Sequence, residues 1–403
     1  MSQSAPSPEL AFVLRLGQTL QAFGESAQTV EEALSRVARH LGLEGAVYAT
    51  PTGLLTSFGR AGEPVRTDLI RTAAFGADLE KLAETGRLVD RVLAGRLGAE
   101  EALGHLEALA SRPARWGGWA VAGAYALAAS GMAVVFGGGW REALLGALIG
   151  GLVGLCARAL DGSRSQVSLL PLAGGLLSSL GGLALAALFP GVSQPVLVLS
   201  GFIVLVPGLG LLVSMQELGT GNLVAGASRL MGTGFVLLLL AAGVAVGQRL
   251  GGAWFPAPPS DPQALPAWAA LPAVALASFG FLVVFRGTPR DYPWTFLASL
   301  LAYGGAKAGA ALLGPEAGAG AAALLLGAAC NHYARLTRRP GAVLLLPSLM
   351  LVLPGSLGFR SFLLMLHKQT LEGLQAGFQS IFVAVALMLG LLLANALVPR
   401  RRF

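Results

Sequence analysis

Two Pro-Gly pairs stand inside long apolar runs: Pro207-Gly208 follows Ile203-Val204-Leu205-Val206, and Pro354-Gly355 follows Met350-Leu351-Val352-Leu353. Proline has no N–H and clashes with the preceding turn, and glycine frees the backbone, so each pair should interrupt a helix. A helix that restarts presents amide donors at the positive end of its dipole, which suits a carboxylate, whereas a helix that stops presents carbonyls. The backbone around Pro207, Gly208, Gly210, Pro354, Gly355 and Ser356 is therefore the candidate lining of a site for a small carboxylate-bearing solute. Close packing of helices through small residues is the plainer reading of any one of these glycines, as it is of the pairs Gly146/Gly150 and Gly305/Gly309.

Charged groups inside or beside apolar segments are costly and point to pathways or gates. Glu217 and Arg229, close in sequence, are candidates for a proton carrier or an ion-pair gate, with an ordinary interfacial pair as the alternative. Lys307 and Arg360 could attract an anion, or snorkel to the membrane surface. His332, beside Asn331 and Tyr333, reads as an interfacial anchor, although it could titrate near neutral pH. Ser200, Ser214, Gln216 and Gln375 can supply neutral hydrogen bonds. The four histidines and two cysteines are scattered, which suggests neither a metal site nor a disulfide, and no cofactor is implied. The chain contains no His-Glu-x-x-His, Gly-x-Ser-x-Gly or Gly-x-x-x-x-Gly-Lys-Ser/Thr, which argues against an intramembrane hydrolase and an ATP-driven pump. A channel is not excluded.

The elements that must hold these residues are mostly apolar. The chain is 54% hydrophobic and 12% charged, with 56 glycines, the composition of a polytopic helical membrane protein. Its net charge of +7 comes largely from arginines flanking apolar runs, where the positive-inside rule places them, so nucleic acid is not an expected partner and the lipid bilayer is. Apolar runs long enough to span fall near 117–136, 141–160, 167–189, 195–214, 228–248, 266–286, 293–313, 316–335, 342–362 and 377–398. Residues 1–115 hold most of the charge and read as a cytosolic α+β domain. Within it the pattern predicts a helix over Ala11–Phe23, a helix with Thr29 as N-cap and Glu32 as capping-box partner, strands at Ala46–Thr50 and Leu54–Phe58, a long helix from Asp68 to Leu97 that breaks at Gly76, and a helix over Ala99–Ser111. Met1–Glu9 carry no signal-peptide core, so the chain is expected to begin in the cytoplasm, and ten spans return its end there.

The two breaks fall in the fourth and ninth of these spans, about a dozen residues in, or roughly 18 Å along a helix at 1.5 Å per residue, near mid-bilayer. Five spans per copy invert the second copy relative to the first. The expected architecture is a 5+5 inverted repeat, residues 116–250 and 266–403, of the kind that secondary transporters use.

The stretch from Leu205 to Leu230 resembles the threonine/serine exporter family, in its Pro207-Gly208, acidic Glu217 and Gly226-x-x-Arg229-Leu230. Gly24-Glu25-Ser26-Ala27-Gln28-Thr29-Val30-Glu31-Glu32-Ala33-Leu34, Thr50-Pro51-Thr52-Gly53 and Leu353-Pro354-Gly355-Ser356 resemble further parts of that family, as a fusion of both its membrane domains. The family pattern often has Asp at the position of Glu217 and an acid at that of Asn222. The resemblance implies export of threonine or serine across a bacterial cytoplasmic membrane, driven by protons. Similar domains associated with dicarboxylate export make succinate-like substrates the alternative. A homo-oligomer is compatible with the sequence.

Overall fold

The structure, a computed structural model, describes residues 6–72, 76–162, 166–255, 263–353, 358–359, 361, 364 and 369–399. The first hundred or so residues build a small layer of helices on a sheet. Helices α1 (Pro8–Ala22) and α2 (Ala27–His40) are followed by strands β1 (Glu44–Thr50), β2 (Gly53–Gly59) and β3 (Arg66–Arg71), then by helices α3 (Leu79–Leu93) and α4 (Ala99–Ser111). The strands form one antiparallel sheet in the order β1-β2-β3. Leu54, Thr56 and Phe58 of β2 turn inward to a core shared with Phe12, Leu16, Leu34 and Val37. Alternation by two along the strand is what puts these residues on one face.

Two local expectations are corrected. The N-cap of α2 is Ser26, not Thr29: the Ser26 hydroxyl accepts from the Thr29 amide, so the helix starts three residues earlier. Serine is as good a cap as threonine, and the capping-box spacing from Thr29 misled. The long helix expected from Asp68 to Leu97 is instead β3 followed by α3. Residues Arg66–Arg71 alternate and pair with β2, and α3 begins only after Asp78, whose carboxylate accepts from the Lys81 amide. Six residues can satisfy a helical and a strand period together, and the free edge of β2 decided between them.

Next come α5 (Gly118–Val135), α6 (Trp140–Ala159), α7 (Gln166–Leu188), α8 (Gln194–Gly201), α9 (Gly208–Gly219) and α10 (Leu223–Gly252). The remaining elements are α11 (Ala270–Val284), α12 (Tyr292–Leu313), α13 (Pro315–Thr337), α14 (Ala342–Leu349) and α15 (Thr370–Leu397). Among the described residues seven helices are long and apolar enough to cross a membrane, and an eighth span results if the bent pair α8–α9 crosses as one. The chain is a polytopic helical membrane protein. In lipid, helices associate by packing rather than by escape from water, and small residues allow the closest approach. Thus α12 and α13 meet at Gly309 and Gly318, where an added methyl would sit 2.6 Å from the facing backbone. Likewise α7 lies against α10, and α13 against α15.

Candidate functional site

The run from Gln194 to Gly219 is broken as its Pro-Gly demands. Helix α8 ends at Gly201, a 3-10 turn covers Ile203–Leu205, and α9 starts at Gly208, with a bend of 50° between the two parts. Pro207 (φ −82°, ψ 45°) closes a tight turn in which the Gly208 amide donates to the Val206 carbonyl at 2.8 Å. The next acceptable intrahelical bond runs from Leu211 to the Pro207 carbonyl, at 3.2 Å. The amides of Leu209 and Gly210, between them, have no acceptor among the described residues. Unsatisfied donors at the start of a 12-residue helix form a ready place for an anionic group.

Gly208 is buried, and a methyl added to it would meet the Leu353 side chain at 2.9 Å. Leu353 directly precedes the second Pro-Gly. Around this contact Phe202, just before the first break, meets Phe359, just after the second, edge to face at 4.6 Å between ring centres. Both rings are fully buried. Pro354, Gly355, Ser356 and Arg360 lie outside the described residues. The segment leading to them does stop early: α14 ends at Leu349, in keeping with the bias against helix before proline. Gly210 faces α10, where an added methyl would meet the Thr233 hydroxyl at 2.5 Å.

Glu217 and Arg229 are brought together. Arg229 Nε donates to Oε2 at 2.9 Å and its NH2 nitrogen to Oε1 at 3.0 Å, a two-pronged pair. Glu217 is 1% exposed. Its Oε1 also accepts from the Ala27 amide at the start of α2, at 3.2 Å, a bond across 190 residues. Nearby on α2, Glu31 accepts from the Ala49 amide at 2.7 Å. Burial pushes the Glu31 carboxyl up, against that hydrogen bond, with a smaller push from the Glu217 charge. A cavity of about 840 Å³ opens beside these groups, walled by α2, by Val213, Gln216 and Glu217 of α9, and by the α13–α14 corner with Arg338 and Arg339.

Lys307 does not join this site. It is exposed on α12, its ammonium 5.4 Å from the Tyr303 ring centre one turn back. Ser200 and Ser214 donate to carbonyls of their own helices. Sequence reasoning missed Glu142 and Asp291, both buried. Glu142 accepts from the amides of Gly139 and Ser193 at 2.9 Å each, tying the start of α6 to that of α8. Asp291 accepts from Thr288 and Tyr333 and pairs with Arg339. An acid at the mouth of an apolar run was the available signal for both. Ser178 and Ser179 of α7 are buried with hydroxyls that have no partner among the described residues, and nothing in their spacing set them apart.

Two family matches cover most of the chain: "Putative threonine/serine exporter" over residues 11–251 and "Threonine/Serine exporter, ThrE" over residues 271–397. An uncharacterized protein of Schizosaccharomyces pombe is 25% identical over 86% of this chain and 47% of its own length. A protein of Mycobacterium tuberculosis named "Probable threonine/serine exporter" is 27% identical over 59% of this chain and 44% of its own. Pheromone-regulated membrane protein 10 of Debaryomyces hansenii is 27% identical over 60% and 24%. The chain thus spans less than half the length of these relatives. No solved structure matches. The matched segments take in the first break, the Glu217–Arg229 pair and the run leading to the second break, and by them the chain belongs to the threonine/serine exporter family.

Proposed function

We propose that the chain is a secondary active exporter of small amino acids, threonine and serine first among them, coupled to protons, and not an enzyme. It works in the bacterial cytoplasmic membrane with both ends of the chain in the cytoplasm. Residues 1–115 form a cytosolic domain, and 116–250 and 266–403 form two five-span repeats of opposite orientation. The substrate carboxylate sits at the restart of α9, over the amides of Leu209 and Gly210, which have no acceptor among the described residues. Pro207, Gly208, Pro354, Gly355 and Ser356 form the lining, and Glu217 with Arg229 forms the inner gate and carries the coupling proton. Lys307 and Arg360 act, on this reading, as surface attractors.

The observation that carries this reading is the contact of Gly208 with Leu353: the first break packs on the residue adjoining the second. Broken helices meeting at an interface between repeats are where transporters bind their solutes, and irregular backbone at membrane depth persists only where protein or a cavity satisfies it. The pairing of α7 with α10 and of α13 with α15, third span with fifth in each half, supports the repeat. The test is counterflow in proteoliposomes loaded with unlabelled threonine. Labelled threonine and serine should accumulate and saturate. Exchange of labelled succinate alone would turn the assignment to dicarboxylates, unsaturated conductance to a channel, and new chemical products to an enzyme.

A further inference from the structure

Hydrogen bonds tie the N-terminal layer of helices and sheet to the membrane helices at α3 and at α2. At one end, α3 caps the end of α11: the Leu79 amide donates to the Phe285 carbonyl at 3.0 Å and the Glu80 amide to the Arg286 carbonyl at 3.3 Å. Trp116 Nε1 adds a bond of 2.8 Å to the Gly287 carbonyl. At the other end, α2 reaches α9 through the Ala27 amide on Glu217. The cavity of about 840 Å³ lies between α2, α9 and the α13–α14 corner.

The two ends differ in strength. Several backbone and side-chain bonds hold α3 to α11. At α2 the described bond is that of Ala27 to Glu217, and it leans on a carboxylate that Arg229 already grips with two prongs. Yet the Ala27 amide is the first of α2, a position with no intrahelical acceptor, and the helix dipole favours a negative charge there. Glu217 thereby acts as an external cap for α2 as well as the partner of Arg229. A body fixed to both halves across a cavity restrains their relative movement, and the halves part where the restraint is weakest.

We propose that the N-terminal domain is a working part of the inner gate: the Ala27 amide is a positioning group that holds Glu217 on Arg229, and the cavity opens when α2 leaves Glu217. This rests on the exporter reading and assigns to it the part that moves. Glycine or alanine at the first position of α2 keeps the amide. Proline there removes that N–H alone, because proline suits the first helical position, and Ser26 (φ −70°, ψ 153°) already has the extended backbone that a residue before proline requires.

The experiment uses the full chain with Cys156→Ala and Cys330→Ala, and with Val213→Cys as reporter on the cavity face of α9, one turn before Glu217. Labelling by a water-soluble maleimide is followed in detergent without substrate. Ala27→Pro should label roughly tenfold faster than the parent, the shift expected for losing a hydrogen bond to a charged group. Ala27→Gly should label at the parent rate. Glu217→Ala, which leaves the Ala27 amide no side-chain acceptor at this position, should also label faster, and adding Ala27→Pro to it should change nothing more, since both remove one tie. Equal rates for Ala27→Pro and Ala27→Gly would overturn the proposal, as would additive effects in the double variant. If Ala27→Pro does not insert, Glu217→Ala decides: a parent-like labelling rate overturns the proposal. Threonine counterflow by the parent is measured on the same preparations. Its absence alongside the expected labelling would leave the tie standing and overturn the exporter reading instead.

Discussion

A buried carboxylate held by an arginine and a backbone amide is an expensive object, and Glu217 is such a group. Removing one partner of a buried pair leaves an uncompensated charge and costs about 3–5 kcal/mol, far more than an exposed pair is worth. The cost is sustained by geometry: the planar fork of Arg229 matches both oxygens, and lysine could not reproduce it. Arg229→Lys should therefore insert but melt at a lower temperature than the parent in a detergent-based thermal shift assay, and a parent-like melting point would deny the fork its role. Glu217→Gln keeps an acceptor for the Ala27 amide and loses the titratable proton. Export by this variant should proceed down a threonine gradient and ignore an imposed pH gradient. A response to the pH gradient equal to that of the parent would place the coupling proton elsewhere.

At the scale of the element, the break between α8 and α9 does two things at once. It turns the chain by 50°, and it leaves the Leu209 and Gly210 amides without acceptors among the described residues. A continuous helix would bury both donors in the ladder. Gly208 makes the turn compatible with the neighbouring half, because any side chain there collides with Leu353. Gly208→Leu should abolish threonine counterflow while the protein still reaches the membrane in parent-like amounts. Flux within twofold of the parent would remove the break from the transport path. Glu142 shows the complementary device at the other end of α8: its carboxylate caps two helix starts and so fixes where the broken span begins.

At the scale of the molecule, the backbone bonds from α3 to the end of α11 lie beside groups that titrate. Paired hydrogen bonds from Arg115, at 2.8 and 2.6 Å, hold the Glu80 carboxyl below the usual carboxylate value of 4.5. Its contribution to the fastening is complete above pH 4.5 and is lost as the pH falls through the lowered value. Asp78 next to it has the opposite sign: burial raises its carboxyl above 3.8, so the cost of ionising it fades as the pH drops. Arg115 is half exposed, which makes the net effect modest. Hydrogen exchange in α3, corrected for its intrinsic pH dependence, should be unchanged between pH 7 and 5 and should rise below 4.5. Glu80→Gln should raise it at every pH. A flat profile in both proteins would show that backbone bonds alone carry the fastening.

The apolar runs, the Pro207-Gly208 interruption and the family resemblance were readable in the sequence, because hydropathy, helix period and the missing proline N–H are properties of neighbouring residues. The same local signals failed where two of them coincided: Ser26 against Thr29 as a cap, and Arg66–Arg71 as strand or helix. Pairing with β2, a contact outside the segment, settled the second. Only the tertiary structure placed Leu353 on Gly208, Phe359 on Phe202 and the Ala27 amide on Glu217. Those contacts join segments far apart in the chain, and they exist because helix faces of complementary shape and charge pack together, which no window of local sequence encodes.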